Sequence, residues 1–162
     1  MTNFSRKKDT VTIGVISDTH GLLRPEVLDV FENVDRIIHA GDIGGESVLH
    51  ELDHIAPVVA VRGNMDGDNW AFALKRTEAV EIKRSLIYVI HDLGRLDIDP
   101  EVSGCSVVIS GHSHRPAVKK HNGVLYLNPG SAGPRRFKLP ASVALLSLAD
   151  ERIEAEIVRL NA

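Results

Sequence analysis

The sequence predicts an α/β protein built as a two-sheet β-sandwich flanked by helices. Three observations lead there. The first half alternates Val- and Ile-rich runs with short amphipathic segments, a βαβαβ rhythm. The second half is almost all strand. Five of the apolar runs end in Asp, His or Asn. That placement suits an open α/β sheet, where strands deliver side chains to the crevice at their carboxyl ends.

Taken in order, residues 11–17 (VTIGVIS) read as the first buried strand. Residues 24–31 read as a short helix with Pro25 in its first turn, where a missing N–H is harmless. Residues 35–40 form the second strand, and residues 46–53 a helix with Val48, Leu49 and Leu52 on one side. Residues 57–62 form the third strand, so the first half predicts parallel strands joined by crossovers. Residues 79–83 and 86–91 read as a hairpin turning at Arg84 and Ser85. Residues 92–104 are too broken for a full helix, although Asp99-Pro100-Glu101 can open one turn. Residues 106–110, 124–128, 142–148 and 152–160 are further strands. The last alternates polar and apolar through Ile153, Ala155 and Ile157, after a turn at residues 149–151.

A chain of 162 residues suits one core-forming domain, here residues 11–162 behind a flexible polar arm at residues 1–10. The longest apolar stretch, near residues 143–149, is too short to span a bilayer. No apolar segment follows the basic N-terminus, so neither a signal peptide nor a membrane partner is expected. Cys105 is the only cysteine, which rules out an intrachain disulfide. It reads as a buried inert thiol or a reactive one. A net charge of −3 argues against a nucleic-acid polymer as partner, and a cytoplasmic protein is expected.

The strand-end residues are Asp18 and His20, Asp42, Asn64, His91, and the pair His112 and His114. Singly, each has an ordinary reading. Asp18 could cap a helix, Gly41-Asp42 and Gly63-Asn64 could be turns, and the histidines could be exposed or simply satisfied. Together, each after a strand, they form the mixture that a pair of divalent cations needs. Two such ions about 3.5–4 Å apart can clamp a phosphoryl group and supply hydroxide near neutral pH. A bridging carboxylate, most plausibly Asp42, offsets their mutual repulsion. Neutral imidazoles and an amide oxygen complete the shells without excess negative charge. Oxygen and nitrogen donors without thiolate suit Mn, Ni, Fe, Co or Zn, and donor type alone does not select among them; Mn is the expected ion, with the others as alternatives.

In this order, Asp18-x-His20, Gly41-Asp42, Gly63-Asn64-x-Asp66, His91 and Gly111-His112-Ser113-His114 resemble the calcineurin-like metallophosphoesterase superfamily. Asn128-Pro129-Gly130-Ser131 with Pro134-Arg135 is similar to its small prokaryotic phosphodiesterase (YfcE-like) branch. The resemblance implies the metallo-dependent phosphatase fold. It also implies one metal on Asp18, His20, Asp42 and His114, and a second on Asp42, Asn64, His91 and His112. Asp42, Asn64 and His112 would then carry catalysis, with Asn64 as a phosphate contact; Arg135 is a second candidate contact because guanidinium matches phosphate oxygens bidentately. Arg135 reads equally as an exposed loop charge. Two positions depart from the pattern. Met65 stands where many members have a histidine after the asparagine, and Asp92 stands where a glycine usually follows the motif histidine. Asp92 could orient His91, approach a metal, or face solvent. Asp66 could protonate a leaving group or bond within its own loop.

The expected activity is therefore hydrolysis of a small phosphodiester by a hydroxide bridging two metal ions. The alternative is a protein-interaction scaffold on the same fold, since the superfamily includes a retromer subunit resembling this branch. Loop residues 68–75, with Trp70 and Phe72, would line the pocket or form the contact of a homodimer or homotetramer.

Overall fold

The structure, a computed structural model, describes residues 9–135 and 138–160. Most of the expected N-terminal arm, residues 1–8, lies outside the described residues. Among the described residues, ten strands form two five-stranded sheets. The first half gives β1 (Val11–Ile16), α1 (Pro25–Val30), β2 (Arg36–His39), α2 (Glu46–Asp53) and β3 (Val58–Ala60). The second half gives β4 (Thr77–Ile82), β5 (Ser85–Ile90), β6 (Cys105–Ile109), β7 (Ala117–His121), β8 (Val124–Asn128), β9 (Ser142–Ala149) and β10 (Arg152–Arg159). The first sheet runs β10-β9-β1-β2-β3 and the second β4-β5-β6-β8-β7.

Both sheets are mixed: the first carries its antiparallel strands on one side of the parallel set, the second on both sides. β1, β2 and β3 pair in parallel, as the βαβαβ pattern requires, while β9 and β10 add antiparallel. In the second sheet β5, β6 and β8 are parallel, with β4 and β7 antiparallel outside them. Parallel strands buried on both faces read as continuous apolar runs, which is why VTIGVI and CSVVI were legible.

Two layers of core follow from the period of two along β1. Ile13 and Val15 face the second sheet, packing with Ile38, Ile87, Val107, Ile109 and Leu127. Ile16 faces the other way, onto Val27 of α1, Val48 and Leu52 of α2, and Phe31. Gly14 gives Phe31 its place, because a Cβ there would lie 2.8 Å from the ring. The outer face of the second sheet has a smaller apolar cover that includes Tyr88, Val108 and Cys105. Burial raises the pKa of the Cys105 thiol, in keeping with the inert reading.

The structure corrects the hairpin and adds three elements, one of them a short 3₁₀ turn at Leu93–Arg95. The β4–β5 turn sits at Lys83 and Arg84, both left-handed at φ 52° and 65°, while Ser85 is buried and pairs with Ile82. A small hydroxyl residue read as turn is in fact strand. β7 was missed because Lys119, Lys120 and His121 break its apolar pattern, and it has an exposed face. Its signal was the Asn122-Gly123 turn, left-handed at both residues, which the strand reading passed over. A 3₁₀ turn at Asn69–Ala73 occupies part of the loop carrying Trp70 and Phe72.

Candidate metal centre

The loops leaving β1, β2, β3, β5 and β6 meet at one place and are stitched together by their own backbones. Asp18 N–H donates to Gly41 O, His20 N–H to Asp42 O, and Gly111 N–H to His91 O. Glycines make this approach feasible. A Cβ on Gly63 would lie 2.2 Å from Asp42 Oδ1, and one on Gly111 would lie 2.7 Å from Asp18 Oδ2. Asp18, His20, Asp42, His112 and His114 all adopt positive φ, between 46° and 69°. Left-handed backbone costs a side-chain-bearing residue energy, and such residues concentrate where function demands a direction.

Around this point the side chains form two imidazole pairs with two carboxylates between them. His20 stacks on His114 with ring centroids 5.6 Å apart, and His91 meets His112 edge-on at 5.2 Å. Asp18 Oδ1 lies 3.3 Å from His114 Nε2, 3.7 Å from His20 Nε2 and 3.9 Å from His91 Nε2. Asp42 Oδ2 lies 3.2 Å from His91 Nε2 and 3.9 Å from His20 Nε2. Among the described residues, two groups are close enough to hold a cation: Asp18 with His20 and His114, and Asp18 with Asp42 and His91. Both carboxylates thus face both histidine pairs, a role the sequence suggested only for Asp42.

The remaining atom of each carboxylate is tied back. Asp18 Oδ2 accepts from Ser17 Oγ and His112 N–H, and Asp42 Oδ1 accepts from Met65 N–H. His91 Nδ1 donates to Ala40 O, which leaves the Nε2 lone pair facing the centre. Asp18 Oδ1, His20 Nε2 and His91 Nε2 are buried with no hydrogen-bond partner among the described residues. Unsatisfied buried polar atoms are costly, and here they converge with the donor chemistry a divalent cation takes. The residues fit the metal ions.

Electrostatics agree with the geometry. Burial by itself would raise the Asp42 carboxyl, but His91 and the Met65 amide outweigh it and hold its pKa low. Burial would lower His91, but Asp42 and Asp18 outweigh it and hold its pKa high. His39, which sequence reasoning passed over, is different. It is fully buried, and burial first, then the neighbouring His91, lower its pKa to about 3. Its Nδ1 accepts from Gly41 N–H, which leaves Nε2–H to donate to Thr19 Oγ1, and that hydroxyl donates to Ile43 O. This neutral chain clamps the β1 and β2 loops from behind.

The centre has a buried floor and an open rim. Asp18, Asp42, His91 and His114 are buried, whereas His112 is half-exposed and Asn64 exposed. Asn64, His91 and His112 line a cavity of about 760 Å³. Arg135 is exposed and is not among the side chains lining it. Instead Arg62, Arg76 and Arg95 are, and nothing in their sequence setting marked them. Met65 is 66% exposed beside Asn64 and offers no proton.

Three sequence questions have structural answers. Asp66 is buried and accepts N–H bonds from Ile43, Gly44 and Gly63, so it ties loops together. Asp92 is not simply turned to solvent. Its Oδ1 accepts from Gly94 N–H, and its Oδ2 lies 3.9 Å from His112 Nε2 and 3.8 Å from Arg95 Nε. The Asn128-Pro129-Gly130-Ser131 run is a brace. Asn128 donates to Gly111 O and Ser113 Oγ, and Ser131 Oγ donates to Asp18 O.

Comparison with known proteins points the same way. The profile of the calcineurin-like phosphoesterase superfamily domain matches residues 11–151. A probable metallophosphoesterase of Methanothermobacter thermautotrophicus is 38% identical, covering 93% of each chain. A phosphodiesterase of Methanocaldococcus jannaschii is 31% identical over 73% of this chain and 82% of its own. The crystal structure of a Vps29 variant from Entamoeba histolytica superposes with a TM-score of 0.73 at 25% identity. That match covers 93% of this chain and 100% of the other.

Proposed function

Because the chain belongs to the calcineurin-like phosphoesterase superfamily, we propose that it is a phosphodiesterase dependent on two divalent metal ions. The observation that carries the reading is the convergence of buried Asp18 Oδ1, His20 Nε2 and His91 Nε2, which have no hydrogen-bond partner among the described residues. Divalent ions bound there would lower the pKa of water and polarise phosphoryl oxygens. Asp18, His20, Asp42 and His114 would hold one ion, and Asp42, Asn64, His91 and His112 the other. Manganese is the metal we favour among those that such an oxygen–nitrogen donor set accepts, nickel, iron, cobalt and zinc being the others.

The chain's own groups would do the rest. Asn64 and His112, which line the cavity at the open rim, would meet the phosphoryl oxygens of a bound ester. No proton donor stands at Met65, and Asp66 is occupied by three amides. The reading therefore favours diesters whose leaving group departs without a proton from the protein. The phosphodiesterase among the relatives supports the diester class. A cytoplasmic site of action and a small substrate belong to the same reading.

The test is manganese-dependent cleavage of bis(p-nitrophenyl) phosphate. Asp42→Ala and His112→Ala should each reduce it by at least about 100-fold while leaving the circular dichroism spectrum intact. Undiminished cleavage in both variants would overturn the proposal. The scaffold alternative draws on the likeness to Vps29. It gains if the purified chain neither contains nor binds manganese, nickel or zinc.

A further inference from the structure

The cavity beside the metal centre is larger than one phosphoryl group needs, and its wall carries charge that the centre does not use. At about 760 Å³ it falls in the range of whole small-molecule sites. Arg62 lies two residues before Asn64 on the loop after β3, and Arg76 immediately precedes β4. Both line the cavity with Asn64, His91 and His112. The Arg62 guanidinium lies over the Phe72 ring, 5.1 Å from its centroid, and its buried Nε has no hydrogen-bond partner among the described residues. A guanidinium resting over an aromatic ring has lost part of its freedom before a ligand arrives.

No carboxylate among the described residues pairs with Arg62 or Arg76. The two acidic side chains in the same wall have other partners. Asp97 accepts the Tyr88 hydroxyl at 2.6 Å, and Asp92 takes the Gly94 N–H and lies near Arg95. Arg95 itself is 86% exposed, so its charge is largely screened by solvent. The part-buried Arg62 and the exposed Arg76, neither in an ion pair among the described residues, put positive charge beside a site for divalent cations. An anion between them and the centre would offset that charge, and guanidinium matches phosphate by paired hydrogen bonds.

We propose that Arg62 and Arg76 form a second anion site, so that the substrate is a phosphodiester carrying a further phosphate group. The inference rests on reading the centre as a phosphoesterase site, and it assigns one end of the substrate to the arginine wall. Phosphate is the group chosen because the two guanidiniums could share its three oxygens.

Isothermal titration with thymidine 3′,5′-bisphosphate and thymidine 5′-monophosphate isolates one phosphate. With manganese present, the bisphosphate should bind at least about tenfold tighter. That ratio should fall toward one in Arg62→Gln and in Arg76→Gln. It should persist in Arg84→Gln, which removes the same charge from the exposed β4–β5 turn. Equal affinities in the wild-type chain, or a ratio unmoved by either cavity variant, overturn the inference. A ratio lost equally in Arg84→Gln overturns it too, because the effect would then be a general field. The outcome is separable from the diesterase reading. Cleavage of bis(p-nitrophenyl) phosphate without an affinity difference keeps the enzyme and removes the second site. An affinity difference without any cleavage does the reverse.

Discussion

At the scale of single residues, the centre trades backbone comfort for direction. His20 sits at φ 46°, where a Cβ crowds the following carbonyl. In metal-free protein, His20→Gly should be more stable than His20→Ala by about 1 kcal/mol, as glycine tolerates that conformation. Urea melts of the two variants with EDTA test this, and equal midpoints would remove the strain argument. His39 makes a second prediction. Its folded pKa, about 3, lies below the unfolded value near 6.5, so the unfolded chain takes the proton first. Its contribution is complete above pH 6.5 and is lost as pH falls toward 3, at about 1.4 kcal/mol per pH unit. His39→Asn should flatten that acid limb in denaturation measured across the range; an unchanged slope would mean that His39 is not the group titrating. Residues such as His39 and Arg62 were invisible in the sequence for a physical reason. A buried neutral histidine and a cavity arginine follow no period, and only their three-dimensional neighbours give them meaning.

At the scale of elements, the site depends on how strand-end loops pack, and glycine decides how closely. Gly63 lies against Asp42, whereas Gly67, four residues on, has no atom of the described residues within 4 Å of where a Cβ would stand. Gly63→Ala should push Asp42 aside and reduce bound manganese by at least about tenfold, measured by equilibrium dialysis. Gly67→Ala should bind like the wild type, and the same loss in both would point to loop stiffening instead. The strands that feed the centre were legible because parallel, doubly buried strands must be apolar until their last residue. A polar metal-type side chain at the end of such a run stands out. β7 failed by the same logic reversed: it pairs on one side only and exposes Val118, Lys119 and Lys120, so its sequence looks like loop. The Asn128–Ser131 run was recognised by resemblance, but its bracing role needed the bonds to Gly111, Ser113 and Asp18.

At the scale of the whole molecule, the centre joins the two sheets. Asp18, His20 and Asp42 come from loops of the first, and His91, His112 and His114 from loops of the second. Metal binding should therefore stabilise the entire chain rather than one loop. Manganese at about 100 times its dissociation constant adds about 2.7 kcal/mol, which for this size raises Tm by roughly 5–10 °C. Calorimetry with manganese and with EDTA checks it, and coincident transitions would disprove the coupling. The two-sheet architecture itself was readable from the sequence, since apolar runs and short helices fix the layers. The exposed strand β7 has a consequence beyond the site. Open sheets invite strand addition by other copies, the first step toward fibrils. Here β3 is only three residues long, β7 exposes Lys119 and Lys120, β10 exposes Arg152, Glu154, Glu156 and Arg159, and β4 exposes Glu81. Every sheet margin is short or charged, and this protects the chain from aggregation in a crowded solution.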